Sequence, residues 1–204
     1  MAAEGEQGRA RGPYGKSAER RQQIIDSAIE LFARGGVDAG SYRSVAAAIG
    51  VSHTALRYYF PSREELLISV YAAHEHRDDA EEWLGDDRSP IEAMQESATR
   101  NREVPGLVQL YTALVADAVQ AGHPTARAYI TERFAAVRRQ VGRHVERSQE
   151  NGAIRPELDA PDVAALIVAV SDGLQLQWLL DPDEVSIEDA LAVLGDALAG
   201  GDAA

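Results

Sequence analysis

Residues 41–66 read SYRSVAAAIGVSHTALRYYFPSREEL, and this stretch decides the fold. Ser41 and Ser44 stand ahead of the apolar run Val45 to Ile49, where a hydroxyl can accept hydrogen bonds from the free N–H groups that open a helix. Gly50 is expected to stop that helix, since a residue without a Cβ enters the left-handed region at low cost. The turn Gly50-Val51-Ser52 then leads into a second helix, His53 to Phe60, with Ser52 as its cap. At about 100° per residue, Ala55, Leu56, Tyr59 and Phe60 share one face of it, and His53, Thr54, Arg57 and Tyr58 the other. Pro61 and Ser62 break the chain, and Ser62 with Glu65 predicts a capping box for the helix that follows.

The first face is apolar and predicts packing on two partner helices. The second offers an imidazole, a hydroxyl, a guanidinium and a phenol, a set suited to base edges and phosphates in a major groove. A generic three-helix bundle carries the same pattern, so the residues alone leave both readings open.

Order and spacing together carry a resemblance. A helix ending in Gly-Val-Ser, a short helix with two tyrosines and a Phe, then Pro-Ser-Arg-Glu-Glu-Leu-Leu resembles the TetR family of bacterial transcriptional regulators from about Arg20 to Tyr71. The resemblance implies an all-α fold: an N-terminal three-helix bundle with a helix-turn-helix, and a C-terminal helical domain for ligand binding and dimerisation. It implies contacts with double-stranded operator DNA from Arg43, Ser44, Ser52, His53, Thr54, Arg57, Tyr58, Tyr59 and Arg63. Arg57 stands where the family usually has an aromatic and Arg63 where it usually has a lysine, which bears on the operator sequence and leaves the positive charge in place.

Charge is divided along the chain. The net charge is −13 over 204 residues, yet residues 1–63 hold nine Lys or Arg against six Asp or Glu, and residues 64–204 hold eleven against twenty-seven. The basic end carries the DNA-reading pattern, and the acidic remainder is repelled by phosphates. There is no cysteine, which excludes disulfides, thiolate metal sites and cysteine nucleophiles. No metal pair is expected: His74 and His76, two apart, point to different sides of a helix. No Gly-x-Ser-x-Gly elbow, Glu-x-x-His pair or dinucleotide fingerprint is present, so neither enzymatic activity nor a cofactor is expected. No signal-like N-terminus is seen, and the longest apolar run, Val163 to Val170, is too short for a bilayer; no membrane contact is expected and the location reads as cytoplasmic.

Residues 1–16, rich in Gly and Arg, predict a disordered basic tail, either a DNA arm or solvated chain. Residues 17–62 predict the helix-turn-helix domain, with a first helix over about Ser17 to Arg34, and residues 63–204 the regulatory and dimerisation domain. Pro-first starts and Gly stops predict helices at Pro90 to Val104, Pro105 to Ala121 and Pro124 to Asn151. Tyr111 and Phe134, inward on Ala-rich helices, are candidate contacts for a small-molecule effector or plain core. Asp172 is the carboxylate expected to be buried. The last two helices are expected at Asp159 to Leu180 and Ser186 to Leu198, and the run VAALIVAVSDGLQLQWLL in the first is apolar nearly all round, which requires partners on more than one side. By the resemblance they form a homodimer interface through Leu166, Val170, Leu176, Leu179 and Leu194. The family reading is a repressor released from its operator by a small molecule; a constitutive or architectural DNA-binding protein without a ligand is the alternative, and a helical enzyme or carrier a third.

Overall fold

The computed structural model describes residues 13–35, 42–78 and 88–200. Among these, the chain is helical: α1 (Pro13–Gly35), α2 (Tyr42–Ala48), α3 (His53–Tyr59), α4 (Arg63–Asp78), α5 (Pro90–Arg102), α6 (Pro105–Val119), α7 (Pro124–Glu150), α8 (Ala160–Leu180) and α9 (Ile187–Leu198). The expected disordered tail lies largely outside the described residues, and its last four residues belong to α1. Ser41 also lies outside them, and Ser44 sits inside α2 rather than at its cap.

Local chemistry explains the element ends. Gly50 has φ +70°, its N–H donates to the Ala47 carbonyl, and the Val51 N–H donates to the Ala46 carbonyl. This paired closure fits a left-handed glycine at the end of α2. Ser52 accepts from the Ala55 N–H at 3.1 Å and caps α3. Ser62 accepts from the Glu65 N–H, though the returning half of the expected capping box is absent among the described residues. The full box occurs instead at α5, where Ser89 and Glu92 bond reciprocally ahead of Pro90. Asp159 and Ser186 cap α8 and α9.

Two apolar clusters organise the packing. One joins Ile24, Ile25 and Phe32 of α1 to Leu56, Leu66, Leu67 and Val70, and continues into Leu107, Leu110 and Leu114 of α6. The DNA-reading bundle is therefore seated on the regulatory helices, and packing crosses the expected boundary at Ser62 and Arg63. The other cluster joins α5, α7, α8 and α9 through Met94, Val141, Val145, Ile167 and Leu191. Phe134 packs against both. Although the uninterrupted apolar run is short, α8 as a whole is long and apolar enough to cross a membrane by length and composition. Its inner side, Val163, Ala164, Ile167 and Val168, is buried in this second cluster.

Candidate DNA-reading face and effector cavity

The outward side of α3 forms as the spacing requires. Leu56 and Phe60 are buried, Thr54 and Arg57 are exposed, and Tyr58 stands out at 76% exposure. Tyr59 is half-buried against the apolar cluster, meeting Tyr58 edge-on at 5.0 Å, so it belongs with the inner face. Arg43 and Ser44 are exposed on α2, and Arg63 is half-buried at the start of α4. His53, Arg57 and Arg63 line one surface hollow together with Tyr42 and Pro61. Tyr42 is a residue that sequence reading missed. Its hydroxyl donates to the Phe60 carbonyl and its ring meets His53 edge-on at 5.6 Å, which fixes α3 against α2. Burial raises the Tyr42 pKa, partly opposed by the nearby Arg57. On the other side, the Arg21 guanidinium lies 4.7 Å from the Phe60 ring centre and donates to Ser69, pinning α1 to α3 and α4.

The reading helix connects directly to a second site. After Pro61 and Ser62 the chain enters α4, whose Glu64 accepts the Ala126 N–H of α7 at 2.8 Å and whose Tyr71 and Glu75 reach a cavity of about 80 Å³. Side chains from α5, α7 and α8 close that cavity, among them Asn101, Arg133, Gln140, Asp172 and Gln175. Its polar wall is one continuous network. Glu75 accepts from Arg133 Nε at 2.7 Å and from the Tyr129 hydroxyl at 3.0 Å. Arg133 donates onward to the hydroxyls of Tyr111 at 3.0 Å and Tyr71 at 3.2 Å, and Tyr111 donates to Asp172 at 3.1 Å. Tyr71 and Tyr111 stack at 5.2 Å, with the guanidinium 4.3 Å from the Tyr111 ring centre.

Burial dominates the ionisation of this network. It raises the pKa of Tyr71, Tyr111 and Tyr129 beyond the ordinary phenol range, so all three are neutral donors at neutral pH. Burial also raises the Asp172 carboxyl, and Arg133 and the Tyr111 hydrogen bond offset this only in part.

The expected effector contacts fall differently. Tyr111 is buried behind the cavity, bonded to two residues that line it, and Phe134 is in the apolar packing; neither lines the cavity. Asp172 is hydrogen-bonded within the helix interface as expected, and it is also on the cavity wall. Glu75, Arg133 and Tyr71 were not singled out, and Tyr129, inward by the same helical spacing as Phe134, bonds Glu75 without lining the cavity. Glu75 bonds residues 54 and 58 positions away, and an arginine inside an otherwise amphipathic helix was the available signal. A larger hollow of about 520 Å³ is a surface groove between α7 and the start of α8, with Arg138, Arg139 and Arg143 along it. None of its walls belongs to α4, so an occupant there does not touch the helix that follows the reading helix. Among the described residues, no group of three or more His, Cys, Asp or Glu could hold a metal ion.

The expected interface residues divide too. Leu166 and Leu176 are exposed, whereas Val170 and Leu194 pack partly into the second apolar cluster, and Leu179 is half-buried. The exposed stripe of α8 also includes Ala169 and Leu180, the latter 80% exposed, and Val193 continues it on α9. Gly173, at the middle of this stripe, would have nothing within 4 Å of an added Cβ.

Comparison with known proteins agrees with this architecture. Residues 24–70 match the family model for bacterial regulatory proteins of the tetR family, and residues 91–201 match that for the C-terminal domain of BetI-type transcriptional repressors. The regulator BetI of Rhizobium meliloti is 28% identical over 194 residues, covering 89% of each chain. The repressor KstR of Rhodococcus jostii is 38% identical over 77 residues, 38% of this chain and 36% of that one. A putative TetR-family regulator from Rhodococcus sp. superposes with a TM-score of 0.66 at 26% identity, covering 88% of this chain and 98% of the other. The chain belongs to the TetR family of bacterial transcriptional regulators, and it is a helix-turn-helix DNA-binding regulator of the ligand-responsive repressor kind.

Proposed function

We propose that the chain acts in the cytoplasm as a homodimer that holds an operator through two copies of α3, and lets go when a small molecule occupies the cavity between α4, α5, α7 and α8. The observation that carries this reading is the double attachment of α4. Its first residue follows the end of the reading helix by four positions, its Glu64 caps α7, and its Tyr71 and Glu75 form part of the cavity wall. An occupant that binds one position of α4 better than another biases the separation of the two reading helices by the same free energy. In this account His53, Thr54, Arg57 and Tyr58 face the major groove, with Arg43, Ser44 and Arg63 at its phosphate edges. Ser52 serves mainly as the α3 cap.

Dimer formation is supported by the stripe on α8 and α9. TetR-family regulators are dimers, and this face leaves Leu166, Leu176, Leu180 and Val193 in water in the single chain. A glycine inside a helix costs about 1 kcal/mol relative to alanine, and the single chain gives Gly173 no neighbour that requires it. A partner helix crossing at Gly173 supplies that requirement, because two-fold symmetry sets the closest approach of paired helices at the same residue in each copy. A gel shift on the DNA upstream of the protein's own reading frame, repeated against a metabolite panel, tests the function: specific retardation relieved by one class of compound is expected. Specific retardation that no compound relieves favours the constitutive alternative.

A further inference from the structure

The effector cavity is polar, small and unevenly charged, and these three properties narrow what fits it. Glu75 has both carboxylate oxygens engaged, by Arg133 and Tyr129. Arg133 has all three of its nitrogens engaged, by Glu75, Tyr111 and Tyr71. Asp172 differs: the Tyr111 hydroxyl donates to one of its oxygens, and no donor among the described residues reaches the other. Of the two carboxyl groups on the wall, Glu75 is ion-paired with Arg133 and Asp172 is not. The neighbouring Asn101 and Gln175 amides bond each other and contribute no charge.

Size and aromatic access exclude other classes. A cavity of about 80 Å³ has the room of two or three waters, each taking roughly 30 Å³ of liquid. Quaternary ammonium groups are recognised by cages of several aromatic faces, and among the described residues Tyr71 is the one aromatic lining this cavity. Such a cation also has no N–H to give Asp172, and an anion meets carboxyl oxygens on a wall whose one guanidinium is already fully engaged. We infer that the effector presents a compact primary or secondary ammonium group whose N–H donors bond Asp172, with the amide of Gln140 as a neutral acceptor beside it. This inference rests on reading the cavity as the effector site.

Isothermal titration of the full chain tests it with methylammonium and n-propylammonium as probes, and with tetramethylammonium, propionate and 1-propanol as controls at equal ionic strength. The two N–H cations are expected to bind, the controls at least tenfold more weakly, and Asp172→Asn to weaken the cations at least tenfold while thermal melting shows it folded. Asp172→Ser repeats the test with a shorter side chain. Tetramethylammonium binding as tightly as n-propylammonium, an unchanged affinity in both variants, or silence of both N–H cations overturns the inference. A parallel gel shift separates the two readings: a compound of another class that releases operator DNA sinks the ammonium inference alone, whereas operator binding that nothing relieves sinks the effector reading beneath it.

Discussion

Glu64, in the first turn of α4, accepts the backbone N–H of Ala126 in the first turn of α7 at 2.8 Å, with His123 Nδ1 3.7 Å from the same oxygen. Helix α7 has no side-chain cap of its own, so a residue three positions past the break that ends the reading helix supplies it from another element. Glu64→Ala should lower stability by about 1 kcal/mol, the usual worth of a lost cap, and shift the melting temperature by roughly 2–4 °C for a chain of this size. It should also weaken the coupling between effector and operator. Glu64→Gln, which keeps an acceptor, should preserve most of both; an unchanged melting curve and induction ratio in Glu64→Ala would remove this contact from the account.

Asp172 gives a pH signature with a definite sign. Its native carboxyl pKa is raised, by burial first, so the folded state holds its proton more tightly than the unfolded chain does. The carboxyl therefore costs no stability below its unfolded pKa, about 3.9, and an increasing amount as pH rises from there through the native pKa. Asp172→Asn should melt higher than the natural chain at pH 7.5, with the difference shrinking as the pH approaches 4. Paired melts at several pH values check this, and a variant that is less stable at pH 7.5 contradicts the assignment.

The local grammar of the chain was legible in sequence because its causes are local. Gly50, Ser52, Ser89, Asp159 and Ser186 end or start helices through bonds spanning at most five residues. The outward set on α3 follows from one helical period. The proposed effector cavity was not legible in this way: Tyr111 and Phe134 follow the inward stripe, but a stripe does not tell wall from filling. That distinction depends on where Arg133 lies between Glu75 and Tyr111, and on Asp172 of α8 reaching Tyr111 of α6. The interface was half legible, since all-round apolarity of α8 signals two partners without saying which leucine serves which.

Because the chain has no natural cysteine, the interface can be probed with a single introduced thiol. Gly173→Cys should form a disulfide-linked dimer under mild oxidation, since the proposed crossing sets residue 173 against its own copy. Leu180→Glu, placed on a side chain 80% exposed in the single chain, should give monomers by light scattering with little change in secondary structure. Absence of the cross-link together with an intact Leu180→Glu dimer would move the interface elsewhere.

Arg57 shares the exposed face of α3 with Thr54 and Tyr58, and its planar fork matches the O6 and N7 acceptors of guanine. Arg57→Ala should cost about 1–3 kcal/mol on the operator and relax specificity at one position in each half-site, while binding to random DNA is nearly unchanged. An equal loss on both DNAs, with the salt slope reduced by about one, would identify a phosphate clamp instead.

The central claim, a repressor whose operator grip is released through α4, is tested most directly by one anisotropy titration. The protein is titrated onto a duplex from its own upstream region and onto a scrambled duplex of equal length, each with and without the effector found by the metabolite screen. The account expects the natural duplex to bind at least about 10³-fold more tightly than the scrambled one, with the effector removing most of that difference. Equal affinity for the two duplexes, or a preference that the effector leaves intact while it demonstrably occupies the cavity, would contradict it.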